Sequence, residues 1–90
     1  MDGNYAIIEL KHSSSLRGVR KDLRTLDLFA TRVRYQRAIY LFYGWYDPTD
    51  IVTRVQTVGR ELKLSTPIEV WLHSGVGTPA NQVALLSPST

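Results

Sequence analysis

Six consecutive apolar residues, Ala38-Ile39-Tyr40-Leu41-Phe42-Tyr43, sit at the middle of this 90-residue chain. Side chains of an extended segment alternate between its two sides. A strand made of these six is therefore apolar on both faces, the mark of a central strand covered from both directions. The run is far too short to span a bilayer. Gly44 and then Asp47-Pro48 close it, so the strand is expected over about residues 37–45.

The flanking segments supply helices. From Leu16 the apolar residues fall at Leu16, Val19, Leu23, Leu26, Ala30 and Val33, steps of three and four that define an amphipathic helix. Phe29 is expected to widen that stripe, and Ser13, Ser14 and Ser15 are candidate N-caps. Asp47 followed by Pro48 is a cap and first-turn pair for a second helix reaching about Lys63. Ile51, Val55, Val58 and Leu62 form its buried stripe. Tyr5 to Lys11 reads as a first strand, and Ile68 to Leu72 as a third. The tail, 74–90, is rich in Gly, Pro and Ser, with a short fourth strand available at 83–86.

Strands alternating with helices predict a single α/β domain over 1–90. It should hold a three- to four-stranded parallel or mixed sheet in βαβαβ(β) order with two packing helices. Sequential strand order would put both helices on one face and leave the other bare. The apolar central strand then requires either a reversed strand order or a second subunit. A domain of this length buries only about 60 to 65% of its unfolded surface, which also favours a homodimer.

Composition narrows the function classes. The 43% hydrophobic content argues against disorder, and the absence of cysteine excludes disulfides, thiolate metal sites and a cysteine nucleophile. The N-terminal stretch lacks a basic signal-peptide region, so a cytoplasmic protein with no membrane partner is expected. The net charge of +3 is uneven. Residues 1–45 carry eight Lys/Arg against four Asp/Glu, and residues 46–90 three against four. Arg17, Arg20, Lys21, Arg24 and Arg32 gather opposite the first helix's apolar stripe, a pattern suited to weak contact with a nucleic-acid backbone. Leu28 interrupts that basic face. Tyr35, Tyr40, Tyr43, Trp45 and Tyr46 are candidates for base stacking or for core and interface.

Glu9-Leu10-Lys11 ends the first strand, and residues two apart share a face. A carboxylate beside an ammonium suits metal-dependent phosphodiester chemistry: an oxygen ligand for a hard cation and a positive group near the phosphate. The alternative is an ion pair at a sheet edge. Ile7-Ile8-Glu9-Leu10-Lys11, the basic helix with Lys21-Asp22-Leu23, and the apolar strand Ala38-Ile39-Tyr40-Leu41 together resemble the PD-(D/E)XK, restriction-endonuclease-like superfamily. The resemblance spans about residues 5–72 and implies Glu9 as a ligand of Mg²⁺ and Lys11 as the residue orienting the water. The first acid of that family has no counterpart except Asp2. The favoured reading is consequently a small oligomeric binding protein without catalysis or cofactor, contacting an anionic partner, with a Mg²⁺-dependent nuclease or its inactive relative as the alternative. His12, His73, Tyr46 and Asp47 follow strands at the edge where open α/β sheets usually bind ligands.

Overall fold

A computed structural model describes residues 5–12, 15–75 and 77–88. The order is β1 (Ala6–His12), α1 (Val19–Val33), β2 (Arg37–Tyr43), α2 (Pro48–Leu62), β3 (Ile68–His73) and β4 (Asn81–Leu86). The sheet runs β1-β2-β3-β4 in sequential order. The first three strands are parallel and β4 returns antiparallel beside β3. The expected mixed α/β sheet is present, and β4 is longer than the 83–86 segment predicted for it.

Sequential order decides between the two expected arrangements. Two right-handed crossovers stepping in one direction place both helices on the same side. The shortest dimension, 17 Å against 34 and 32 Å, fits one helix layer on one sheet. Between the layers lie Val19, Leu23, Leu26 and Ala30 of α1, Ile51, Val55 and Val58 of α2, and Ala38, Tyr40, Phe42, Ile68, Val70, Leu72 and Leu86 of the sheet. Strand reversal is thereby excluded, and among the described residues no element covers the other face.

Helix starts follow local chemistry, once against expectation. At α2 the Asp47 carboxylate accepts from the Thr49 backbone N–H at 2.8 Å, with Pro48 at the first helical position. At α1 the helix begins at Val19, three residues after Leu16. Gly18 holds the N-cap position at φ 79°, with no side-chain cap. The Ser15 hydroxyl instead accepts from the Arg17 N–H at 3.1 Å, a local turn that competes with capping. Ser13 and Ser14 lie outside the described residues.

Phe29 does not widen the buried stripe. It is half exposed on the flank of α1 that overhangs β1, as is Val33 in the last turn. Since β1 is the edge strand, no element of the described residues lies beyond it to reach that flank.

Asp27 ties α1 to the connection between α2 and β3. Its carboxylate accepts from the Ser65 and Thr66 backbone N–H groups at 3.1 and 2.9 Å. Charged acceptors on otherwise unpaired amides are the stronger class of hydrogen bond. Asp27→Ala is therefore expected to lower stability by about 1–3 kcal/mol, read as a lower urea midpoint with unchanged slope.

Candidate functional site

Three surfaces carry chemistry, and the topology separates them. The first lies under the rim of α1. Glu9 and Lys11 sit on the helix-covered side of β1, level with Tyr40 and Phe42 of β2. Lys11 Nζ lies 3.2 Å from Asp22 Oδ2, with side chains only 17% and 20% exposed, and it also donates to the Arg17 carbonyl. Asp22 Oδ2 accepts in turn from the buried Tyr40 hydroxyl at 2.6 Å. Burial first, then the Asp22 hydrogen bond, then the negative charges of Asp22 and Glu9 push the Tyr40 pKa far above its ordinary value. The phenol therefore stays protonated and donates.

Lys11 thus takes Asp22 as its carboxylate, and that residue was not singled out by the sequence pattern. The signal was present: Asp22 begins the flank of α1 that continues at Phe29, seven residues later, on the β1 side. Among the described residues there is no group of three or more His, Asp or Glu side chains placed to hold a metal ion. Asp2, the one upstream acid, lies outside the described residues. Charges pointing inward from an edge strand also discourage another strand from pairing there, a structural use for Glu9 and Lys11.

The second surface is the open face of the sheet. Ile8, Ile39, Glu69 and Leu85 form one row across the four strands, and Leu10, Leu41 and Trp71 the next. Ile8, Leu10 and Leu85 are 58%, 54% and 55% exposed. Beyond them His12, Tyr43 and His73 make a third row, at the carboxyl ends of the parallel strands. The Tyr43 ring centroid is 5.0 Å from each imidazole, parallel to His73 and tilted against His12. His73 Nδ1 is buried without a hydrogen-bond partner among the described residues. Both histidines are the last residues of their strands, not the residues following them.

At the opposite end Arg37 grips Glu69 as a fork, Nε to Oε2 at 2.8 Å and Nη2 to Oε1 at 2.6 Å. Trp71 Nε1 adds a third donor at 3.0 Å to the Glu69 carboxylate. The Arg37 bond holds the Glu69 carboxyl below its ordinary pKa, the Trp71 N–H helps, and partial burial opposes. A carboxyl depressed on folding adds stability above its unfolded pKa and loses it as pH falls through the folded value. Replacing it by Glu69→Gln should therefore flatten the acid limb of a plot of thermal midpoint against pH, with the two proteins converging at the lowest pH.

The third surface is the outside of the helix layer. Lys21, Arg24 and Arg32 are exposed there with Leu28 among them. Arg17 lies in the turn before α1, while Arg20 turns toward α2 and pairs with Glu61. Nine of the eleven Lys/Arg lie on the helices or the turns flanking them, all but Lys11 and Arg37. Of the helix-layer acids, Asp22, Asp27 and Glu61 are engaged as described.

The aromatic residues divide the same way. Tyr40 and Phe42 are core, Tyr46 packs edge-on against Phe42 at 5.2 Å, Tyr35 is half-buried and Trp45 is exposed. Of the candidates for base stacking only Tyr43 belongs to the open face, where Trp71 lies one row away. No helix of the described residues is long and apolar enough to cross a membrane. No family model matches this chain, and no characterised protein or solved structure matches it either.

Proposed function

We propose that this chain is a small non-catalytic interaction protein that pairs with a second copy through the open face of its sheet, leaving its basic helix layer for an anionic partner. The observation that carries this reading is the row pattern Ile8–Ile39–Leu85 and Leu10–Leu41–Trp71 on a face that no element of the described residues covers. Scattered exposed apolar residues are ordinary, but contiguous rows are a mark of an interaction site. Four strands at about 4.8 Å spacing and about 3.3 Å rise give the sheet a footprint on the order of 400 Å². The whole flat side measures 34 by 32 Å, on the order of the 800 Å² per partner of a standard interface. A dimer is the expected state in solution. Light scattering across the micromolar range tests it, and a mass fixed at 10.2 kDa would remove it.

The Mg²⁺-dependent phosphodiesterase reading, and with it the nuclease-like ancestry, keeps one specific support. The Tyr40 hydroxyl feels the charges of both Asp22 and Glu9, so a second carboxylate does stand in the neighbourhood of Glu9 and Lys11. Against it, Asp22 is already bonded to Lys11 and Tyr40, and a hard cation needs oxygen ligands that are free to converge. Wild type is expected to show no Mg²⁺- or Mn²⁺-dependent cleavage of duplex or single-stranded DNA above a Glu9→Gln control. Cleavage that is lost in Glu9→Gln, with metal binding retained in Lys11→Ala, would replace the interaction reading by the enzymatic one.

A further inference from the structure

The topology sends the apolar rows and the cations to opposite sides of a two-layer domain. Among the described residues the open face holds a single Lys or Arg, Arg37, neutralised by Glu69. The helix layer holds nine of the eleven. If two copies close sheet to sheet, as in the reading above on which this inference rests, the order of layers becomes helix, sheet, sheet, helix. The two basic surfaces then point in opposite directions. With layers about 10 Å apart, the α1 axes of the two copies stand about 30 Å from each other. One duplex cannot reach both surfaces without folding around the dimer, whereas two separate duplexes can each take one.

We infer that the dimer bridges two nucleic-acid duplexes, holding one on each outer helix layer by backbone phosphate contacts. The partner is argued from charge complementarity. Lys21, Arg24 and Arg32 point outward along a helix about 22 Å long, and Arg17 extends the row at its start. An unpatterned row of cations reads phosphates without reading bases. Duplex is favoured over single strands because Tyr43 and its flanking imidazoles lie on the open face and Phe29 on the β1 flank of α1, so among the described residues no aromatic side chain stands between Lys21, Arg24 and Arg32. Each surface alone is weak, and the second duplex is captured by a protein already held on the first.

The test uses the full chain and a fluorescent 30-base-pair duplex of mixed sequence, captured on beads that carry an unlabelled duplex. Wild type is expected to retain the labelled duplex at low salt. Retention should peak at intermediate protein concentration and fall at excess, when every duplex is coated separately. About four phosphate contacts per surface give a binding slope near −3.6 in log K against log salt, so retention should vanish by a few hundred millimolar salt. Leu10→Lys, an exposed position whose change spares the fold, should give a monomer that still shifts the duplex in a gel but bridges at least about tenfold less. The double variant Lys21→Glu with Arg24→Glu should stay dimeric and lose both binding and bridging.

Light scattering on the same samples separates the failures. A wild type that is monomeric removes the self-association reading, and bridging with it. A wild-type dimer that binds no duplex, or binds and retains none on the beads, overturns the bridging inference alone. Bridging undiminished in monomeric Leu10→Lys overturns it as well. Single-stranded DNA retained as well as duplex would reject the duplex preference.

Discussion

Leu41→Glu is expected to turn the proposed dimer into a monomer of 10.2 kDa without altering the secondary structure. Leu41 stands at the centre of the open face, between Leu10 of β1 and Trp71 of β3. Its side chain points away from the helix layer, so the core between the layers is untouched. In the monomer the new carboxylate meets water. In the dimer it would face the apolar rows of the second copy, where no cation of the described residues is free: Arg37 is held by Glu69 and Lys11 lies on the far side. Removing a carboxylate from water without a partner costs several kcal/mol. The dissociation constant should rise by at least about a hundredfold, equivalent to about 2.7 kcal/mol. Sedimentation across the micromolar range measures it, with circular dichroism as the check on folding. Lys21→Glu, on the opposite layer, should leave the mass unchanged. A dimer that survives Leu41→Glu would locate the contact elsewhere.

The second large effect is on folding and arises where α1 crosses β1 and β2. Asp22→Ala removes the acceptor of the Tyr40 hydroxyl and the anion beside Lys11 together. Tyr40 is fully buried, so its hydroxyl has no water to turn to. An unsatisfied buried hydroxyl costs about 1–3 kcal/mol, and loss of the partly buried ion pair adds to it. A total of about 2–4 kcal/mol lowers the thermal midpoint of a domain this size on the order of 10–20 °C. Asp22→Leu combined with Tyr40→Phe should recover much of that loss, because both polar partners then leave at once. If Asp22→Ala melts within a degree or two of wild type, the Tyr40–Asp22–Lys11 chain contributes nothing to stability. The same variant tests Glu9 and Lys11: a structural Lys11 predicts that Lys11→Met is tolerated better than Asp22→Ala.

Much of this architecture is written in local patterns. The three- and four-residue steps from Val19 to Ala30 specify a helix because each lands on one stripe. Asp47-Pro48 fixes a helix start through chemistry confined to three residues. The two-faced apolar run of β2 dictates a central strand, whatever its neighbours are. These signals need no knowledge of distant residues.

Other features depend on what lies across the fold. The stripe position of Phe29 gave it to the core, but β1 is an edge strand and leaves that flank open. Lys11 could be paired with Glu9 on spacing alone, yet the carboxylate it meets is Asp22, which the crossover brings above β1. Arg37 and Glu69 are 32 residues apart and become a forked pair only because β2 and β3 are adjacent. Sequential strand order decided the largest question. By itself the sequence determined two apolar faces on β2 and two amphipathic helices to cover them. Tertiary structure spent both helices on the same face, because right-handed crossovers stepping one way along a sheet cannot do otherwise, and so made the rows from Ile8 to Leu85 an exterior surface.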